Sequence, residues 1–376
     1  MQRKKYDRII IGTLCFAALL AGCGQKKKSG EASGQDYNKF LPMINITESE
    51  EGVYYVQQVQ DDINDYMVLK YADKNSAKET VLCQKVNCKH NSEECQAVVG
   101  ETSYMGFMTC MDGRLYYMVS KSGEDDVGLY LYSVNKDGTD KKQVHKFEGR
   151  RTPPNAASMY RGKLFLSIPT IVEFEDGSGS ESSCPVLVMY DLLTDEETEI
   201  LEDRDSIYTV PCGGSGDSIY FLEMDYGGDN WLKYRQYDFH TKEIRDVFDG
   251  EVEDGQFVLD DTIFLQSDEK DKVETYNLKT KKREEILTCD EKYDFIYFKL
   301  GWIELVRRTK DGDRNKDFYK YYDIAEKQYL FDDFEPDTEV FVRLRFDDGR
   351  YWVEKDDQSY FYDLKDKSWT EVEEIK

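Results

Sequence analysis

The sequence predicts an all-β protein, a β-propeller of seven four-stranded blades, with six- and eight-bladed rings as the alternatives. Three observations predict it. A turn pair followed by an alternating apolar and aromatic strand recurs along the body of the 376-residue chain. The recurrence interval, 40–61 residues, matches one blade. Few apolar runs outside the N-terminus reach helical length with a 3.6-residue period, and none there carries convincing caps.

The N-terminus reads as an address. MQRKKYDR is basic, and the twelve residues IIIGTLCFAALL that follow are mostly apolar. A run of that length is too short to cross ~30 Å of hydrocarbon as a helix and suits the core of a signal peptide. LAGC, Leu20 to Cys23, then resembles the lipobox of bacterial lipoproteins, in which the cysteine is acylated and becomes the mature N-terminus. The expected organisation is a signal peptide at 1–22, a lipid-anchored tether at 23–39 and a propeller over 40–376. The tether, GQKKKSGEASGQ and its neighbours, is polar and spans about 20 Å r.m.s.. The expected location is outside the cytoplasm at a membrane, in a Gram-positive cell the outer face of the cytoplasmic membrane, with the membrane as a partner through the anchor.

The body is built from repeats. DGRLYYMVS (112), RGKLFLSIP (161), GDSIYFLEM (216) and DDTIFLQSD (260) show the turn-then-strand unit most clearly. EGVYYVQQ (51), GWIELVRR (301) and DGRYWVEK (348) are the further copies, making seven. Each is followed by a second strand ending in a polar turn, such as LYLYSVNKDGT at 129 or SYFYDLKDKS at 359. Short strands after that turn (KQVHKF, TEILE, EIRDVF, REEIL) and before the turn pair (SIYTVPC, GQFVLD, FIYFK, EVFVRLRF) complete four per unit. A lone blade is apolar on both faces; stacking blades around an axis buries both. Gly113, Gly162 and Gly349 are expected in turns with φ > 0.

These strand motifs resemble the repeats of TolB-like propellers and are similar to YWTD-type repeats. Coupled to a lipobox and tether, they resemble propeller lipoproteins of Gram-positive bacteria, whose cysteine cluster is similar to VLCQKVNCKHNSEEC here. The resemblance covers roughly residues 40–376. It implies fold and location and brings no activity.

Composition excludes one function class. The formal charge is −26, and residues 1–37 carry seven basic and three acidic side chains, so the body is more acidic still. No basic stripe offsets a field that repels phosphate backbones, which excludes nucleic acid as a partner. The three histidines are His90, His145 and His240. His145 falls in an outer strand and His240 in a polar turn, and both are expected at the surface. GGSGDS at 213 lacks the last glycine of a nucleophile elbow. No catalytic residue is assigned. A glycan- or peptide-processing enzyme with carboxylates in the central funnel is the alternative to a binding or scaffold module. An accessory or sensor subunit of an envelope transporter is a third reading. Tyr226 and Trp231, aromatics outside the strands, are the candidates for a ligand-facing position toward a protein or glycan.

Asp311, Asp313 and Asn315 match the first three ligand positions of an EF-hand loop, but Lys316 and Tyr322 stand where glycine and glutamate belong, leaving at most a weak calcium site. CQKVNCKHNSEEC, residues 83–95, opens a cysteine-rich inter-blade segment at 83–103 expected to cross from rim to axis. The favoured reading is a disulfide clasp drawn from Cys83, Cys88, Cys95 and Cys110, since exported proteins meet oxidants. The alternative is zinc held by Cys83, Cys88, His90 and Cys95, a complete tetrahedral set in which Cys88 and His90 stand only two residues apart. Haem attachment is excluded because Lys89 intervenes between Cys88 and His90.

Overall fold

Seven clusters of buried side chains define the architecture, one between each pair of neighbouring blades. The cluster of Ile46, Val53, Phe346, Trp352 and Phe361 joins the last blade to the first and closes the ring. The structure, a computed structural model, describes residues 38–375 apart from 61–64, 93, 102–106, 123–126, 149–152, 170, 174–179, 183–185, 202–206, 226–231, 249–257, 260, 268–270, 290, 312–313, 332–339 and 357. Among the described residues every regular element is a strand.

Each blade is contiguous in sequence and its four strands pair antiparallel in chain order from the axis outward. Blade 1 comprises Ile46–Glu48, Gly52–Gln60, Asp65–Asp73 and Lys78–Val81. Blade 2 comprises Met108–Met111, Arg114–Ser122, Val127–Asn135 and Lys142–Phe147. Blades 3 to 7 start with inner strands Ala156–Tyr160, Ile207–Ser215, Val258–Leu259, Phe295–Phe298 and Val340–Arg345. The alternation legible in the sequence is the cause. In Arg114–Ser122, Leu115, Tyr117 and Val119 pack into the blade 1–2 cluster while Met118 packs into the blade 2–3 cluster.

Two kinds of turn share one face of the ring. Between first and second strands, Gly113, Gly162 and Gly349 have φ of 79°, 70° and 85°, as the turn pairs require. Between third and fourth strands a left-handed residue recurs in every blade: Ala77, Asp140, Asp195, Lys242, Lys281, Lys327 and Lys367, with φ between 51° and 60°. An Asp or Asn begins most of these turns and accepts amides two and three residues on, as Asp238 does from His240 and Thr241 at 2.9 Å. The second strands end, and the third strands begin, at the opposite face.

Two additions bridge blades. Glu373–Glu374 pairs parallel with Lys78–Glu79, fastening the C-terminus to the outer edge of blade 1. At the other end, Leu41–Pro42 pairs antiparallel with the inner strand of blade 3, Ile44 bridges Met108 of blade 2, and Ile46–Glu48 is the inner strand of blade 1. Residues 41–48 therefore descend along the ring's axis and climb back. Phe40, Met43 and Ile46 are buried in three different inter-blade clusters.

The passage from Glu101 at the rim of blade 1 to Met108 at the axis runs through 102–106, outside the described residues, and the cysteine segment itself does more than join the two blades. It interrupts the outermost strand of blade 1: Lys78–Val81 pairs with the upper half of Asp65–Asp73, and Val98–Glu101 resumes on the lower half of the same edge. Leu69 holds both feet of the excursion, accepting from the Leu82 amide and donating to the Ala97 carbonyl, each at 2.9 Å. The edge of one strand left Leu69 with a donor and an acceptor to satisfy, and two separate stretches of chain satisfy them. Of the EF-hand-like residues, Asp311 and Asn315 lie in a β-hairpin in which Lys310 pairs with Asn315 and Asp311 with Arg314, and Asp313 lies outside the described residues.

Candidate functional site

Two places bring chemistry-bearing side chains together. The first is a cleft of about 630 Å³ at the axis between blades 6 and 7, beside the N-terminal segment. Trp302 and Glu304 come from the second strand of blade 6, Tyr319 from its third, Phe341 and Arg343 from the inner strand of blade 7, and Glu48 from that of blade 1. Tyr319 and Phe341 meet edge to face with centroids 5.6 Å apart. The Tyr321 hydroxyl donates to the Val340 carbonyl at 2.7 Å and ties the two blades beneath them.

Both carboxylates are pushed toward neutrality. Burial raises the Glu304 carboxyl, against the pull of Lys299 and Arg343. Burial also raises Glu48, outweighing Lys39, whose ammonium lies 2.9 Å away and also 3.4 Å from Asp347. Such a cleft offers aromatic faces to an apolar or sugar ring, and carboxyl and guanidinium groups to its polar substituents. Sequence reasoning missed all of these residues. Their only sequence signal is strand alternation, shared with every other blade residue.

The second place is the excursion in blade 1. The ligand atoms of Cys83, Cys88, His90 and Cys95 all lie within 4.8 Å of one another, and His90 Nδ1 is 3.3 Å from Cys95 Sγ. Cys83, Cys88 and Cys95 are free thiols, so no disulfide joins any pair of the four candidates. Cys110 sits apart in the inner strand of blade 2, where its amide donates to Thr47 Oγ1 at 3.1 Å. The Lys85 amide donates to Cys83 Sγ at 3.4 Å. The His90 amide faces Cys88 Sγ and, as the leading influence, lowers that thiol from its ordinary value. Burial pushes the Cys95 thiol up to about 12, although the Ala97 amide opposes it. Burial lowers His90 and so favours the neutral, ligating imidazole.

The other histidines fall in two settings. His145 is half-buried: it stacks on Tyr190 at 4.2 Å between blades 2 and 3, with Nδ1 3.5 Å from Asp195 and Nε2 3.5 Å from Glu197. His240 is in an exposed turn with Nε2 3.1 Å from Asp217. GGSGDS is a turn in which Ser215 donates to Asp261 at 2.8 Å, an inter-blade tie. Tyr226, Trp231, Cys23 and Cys184 lie outside the described residues.

No protein-family model matches the chain, and no curated protein matches it. Solved structures do. A prolyl endopeptidase matches 96% of this chain at 10% identity with a TM-score of 0.56. The propeller domain of the trilobed protease from Pyrococcus furiosus matches 89% of this chain and 98% of its own at 12% identity, with a TM-score of 0.54. TolB from Acinetobacter baumannii matches 85% of this chain and 78% of its own at 13% identity, with a TM-score of 0.39. The chain spans about half the length of the prolyl endopeptidase it matches, 53%. The fold class is thus a seven-bladed β-propeller.

Proposed function

We propose that this chain is an exported lipoprotein whose propeller is a binding module held at a membrane through Cys23, with the cleft between blades 6 and 7 as its ligand site. The observation that carries this reading is the course of residues 39–48. Leu41 pairs with Met159, next to the turn at Arg161–Gly162, while Ile44 bridges Met108 at the far end of an inner strand. The chain therefore enters at the turn-bearing face, and Lys39 meets Asp347 and Glu48 at the cleft's rim. A tether attached there would suspend the ring by its axis, turning the cleft toward the membrane. Burial of Phe40, Met43 and Ile46 supports a fixed exit, since each stabilises by roughly 1.5–3 kcal/mol.

A second reading, a glycan- or peptide-processing enzyme, is favoured by Glu48 and Glu304 sharing one cleft with both carboxyls raised. One experiment separates them. The full chain in detergent is screened against glycans and peptides for thermal stabilisation and for turnover. The binding reading expects a ligand whose stabilisation weakens in Phe341→Ala and Glu304→Gln without product. Turnover lost in Glu304→Gln and Glu48→Gln would replace binding by catalysis. Stabilisation equal in wild type and both cleft variants would remove the cleft from either reading.

A further inference from the structure

We propose that Cys83, Cys88, His90 and Cys95 form a structural zinc site that knots the broken outer strand of blade 1. The convergence is four-sided rather than pairwise. Zinc–sulfur bonds of ~2.3 Å and zinc–nitrogen bonds of ~2.0–2.1 Å require tetrahedral edges of about 3.5–3.8 Å. The four ligand atoms already stand within 4.8 Å of one another, and the His90–Cys95 edge is 3.3 Å. A tetrahedral cage is therefore within a side-chain rotation of the observed positions.

An amide two residues on faces each sulfur: Lys85 for Cys83, His90 for Cys88 and Ala97 for Cys95. A clasp would use two cysteines and leave the third amide–sulfur pair and the histidine without a task. Three thiolates and one imidazole select zinc over calcium, magnesium or manganese, which take oxygen ligands. With four protein ligands the site is closed, as structural zinc is, and leaves no position for a substrate. Binding would release the thiol protons to solvent.

The loop shows why a metal is needed. Asn87 and His90 have φ of 58° and 54°, the left-handed region that these residues occupy at a cost. The left-handed turn at His90 brings its ring back toward Cys95, so ligands two residues apart reach one centre. Val86 is 88% exposed, so the loop has little apolar core of its own. Its outside packs on blade 2 instead: Gln84 donates to the Asp137 carbonyl at 3.0 Å, and Leu82 lies against Gly138. The knot thus stiffens the blade 1–2 rim.

The test uses the full chain, purified in detergent without chelator. Metal analysis should find one zinc per chain, and cobalt exchanged into the site should show the intense visible bands of tetrahedral thiolate coordination. Cys88→Ser and His90→Ala should lose zinc, while Cys110→Ser keeps it. His90→Cys should keep the metal and shift the cobalt bands, which holds the test open should the weaker variants misfold. An intact mass two hydrogens short with no zinc, or unchanged zinc in Cys88→Ser and His90→Ala, would overturn the proposal.

Discussion

Gly138→Ala should destabilise the ring far more than Gly113→Ala, although both glycines have φ of 79°. Gly113 has no neighbour within 4 Å of an added Cβ, so its substitution costs only the left-handed conformation, about 1–2 kcal/mol. At Gly138 the same Cβ would overlap the Leu82 carbonyl, whose carbon would lie 2.9 Å away, with Leu82 Cγ at 3.2 Å. Leu82 cannot retreat freely, because its amide is bonded to Leu69 and it leads into the cysteine loop. Overpacking of this kind adds about 1–3 kcal/mol, giving about 2–5 kcal/mol in all. Urea titrations of both variants supply the comparison, read as midpoint shifts at constant m. Equal shifts would show that the blade 1–2 rim is loose at Leu82 and that the loop's footing is not rigid.

Three further outcomes follow from the same geometry. Lys70 has a side chain only 5% exposed and reaches Glu79 and Glu374 at 2.9 Å each; Glu374 is half exposed and Glu79 keeps the Tyr55 hydroxyl, so Lys70→Met should cost about 1–3 kcal/mol and free the C-terminal strand to proteolysis. The wholly buried Asp323 is pushed up by burial, but the Tyr351 hydroxyl, Arg345 and the Glu326 amide outweigh this and hold it below its ordinary value. The stability it contributes is therefore present above its unfolded value, about 3.9, and is lost as pH falls through the lower folded value; acid titration of Asp323→Asn should lack that component. Cys23→Ala should leave the chain in the medium or as unprocessed precursor, and membrane partition equal to wild type would refute the anchor.

The strands were legible because their cause is local. DGRLYYMVS states its turn and its two faces in nine residues, and Asp112–Gly113 and Arg114–Ser122 occupy those places. The axial segment was not legible, because Phe40, Met43 and Ile46 each answer to a different inter-blade core and share no period. Cleft residues such as Glu304 and Phe341 lie far apart in sequence and meet only when blades 6 and 7 pack. The cysteine cluster was visible as a composition, but its geometry was not. Two-residue spacing between Cys88 and His90 argued against a common centre until His90 is seen in the left-handed region. Nor does anything in the segment's sequence say that Val98–Glu101 resumes the strand that Val81 leaves.

The suspension of the ring by its axis is tested most directly by energy transfer to acceptor lipids. A fluorescent residue is placed at Glu50, on the turn-bearing face, or at Val127, where the third strand of blade 2 begins on the opposite face. The nine residues of Arg114–Ser122 separate the faces by about 30 Å. With the lipidated chain in vesicles, transfer to headgroup acceptors should be stronger from Glu50 than from Val127, and Cys23→Ala should abolish both. Equal transfer, or stronger transfer from Val127, would contradict the account.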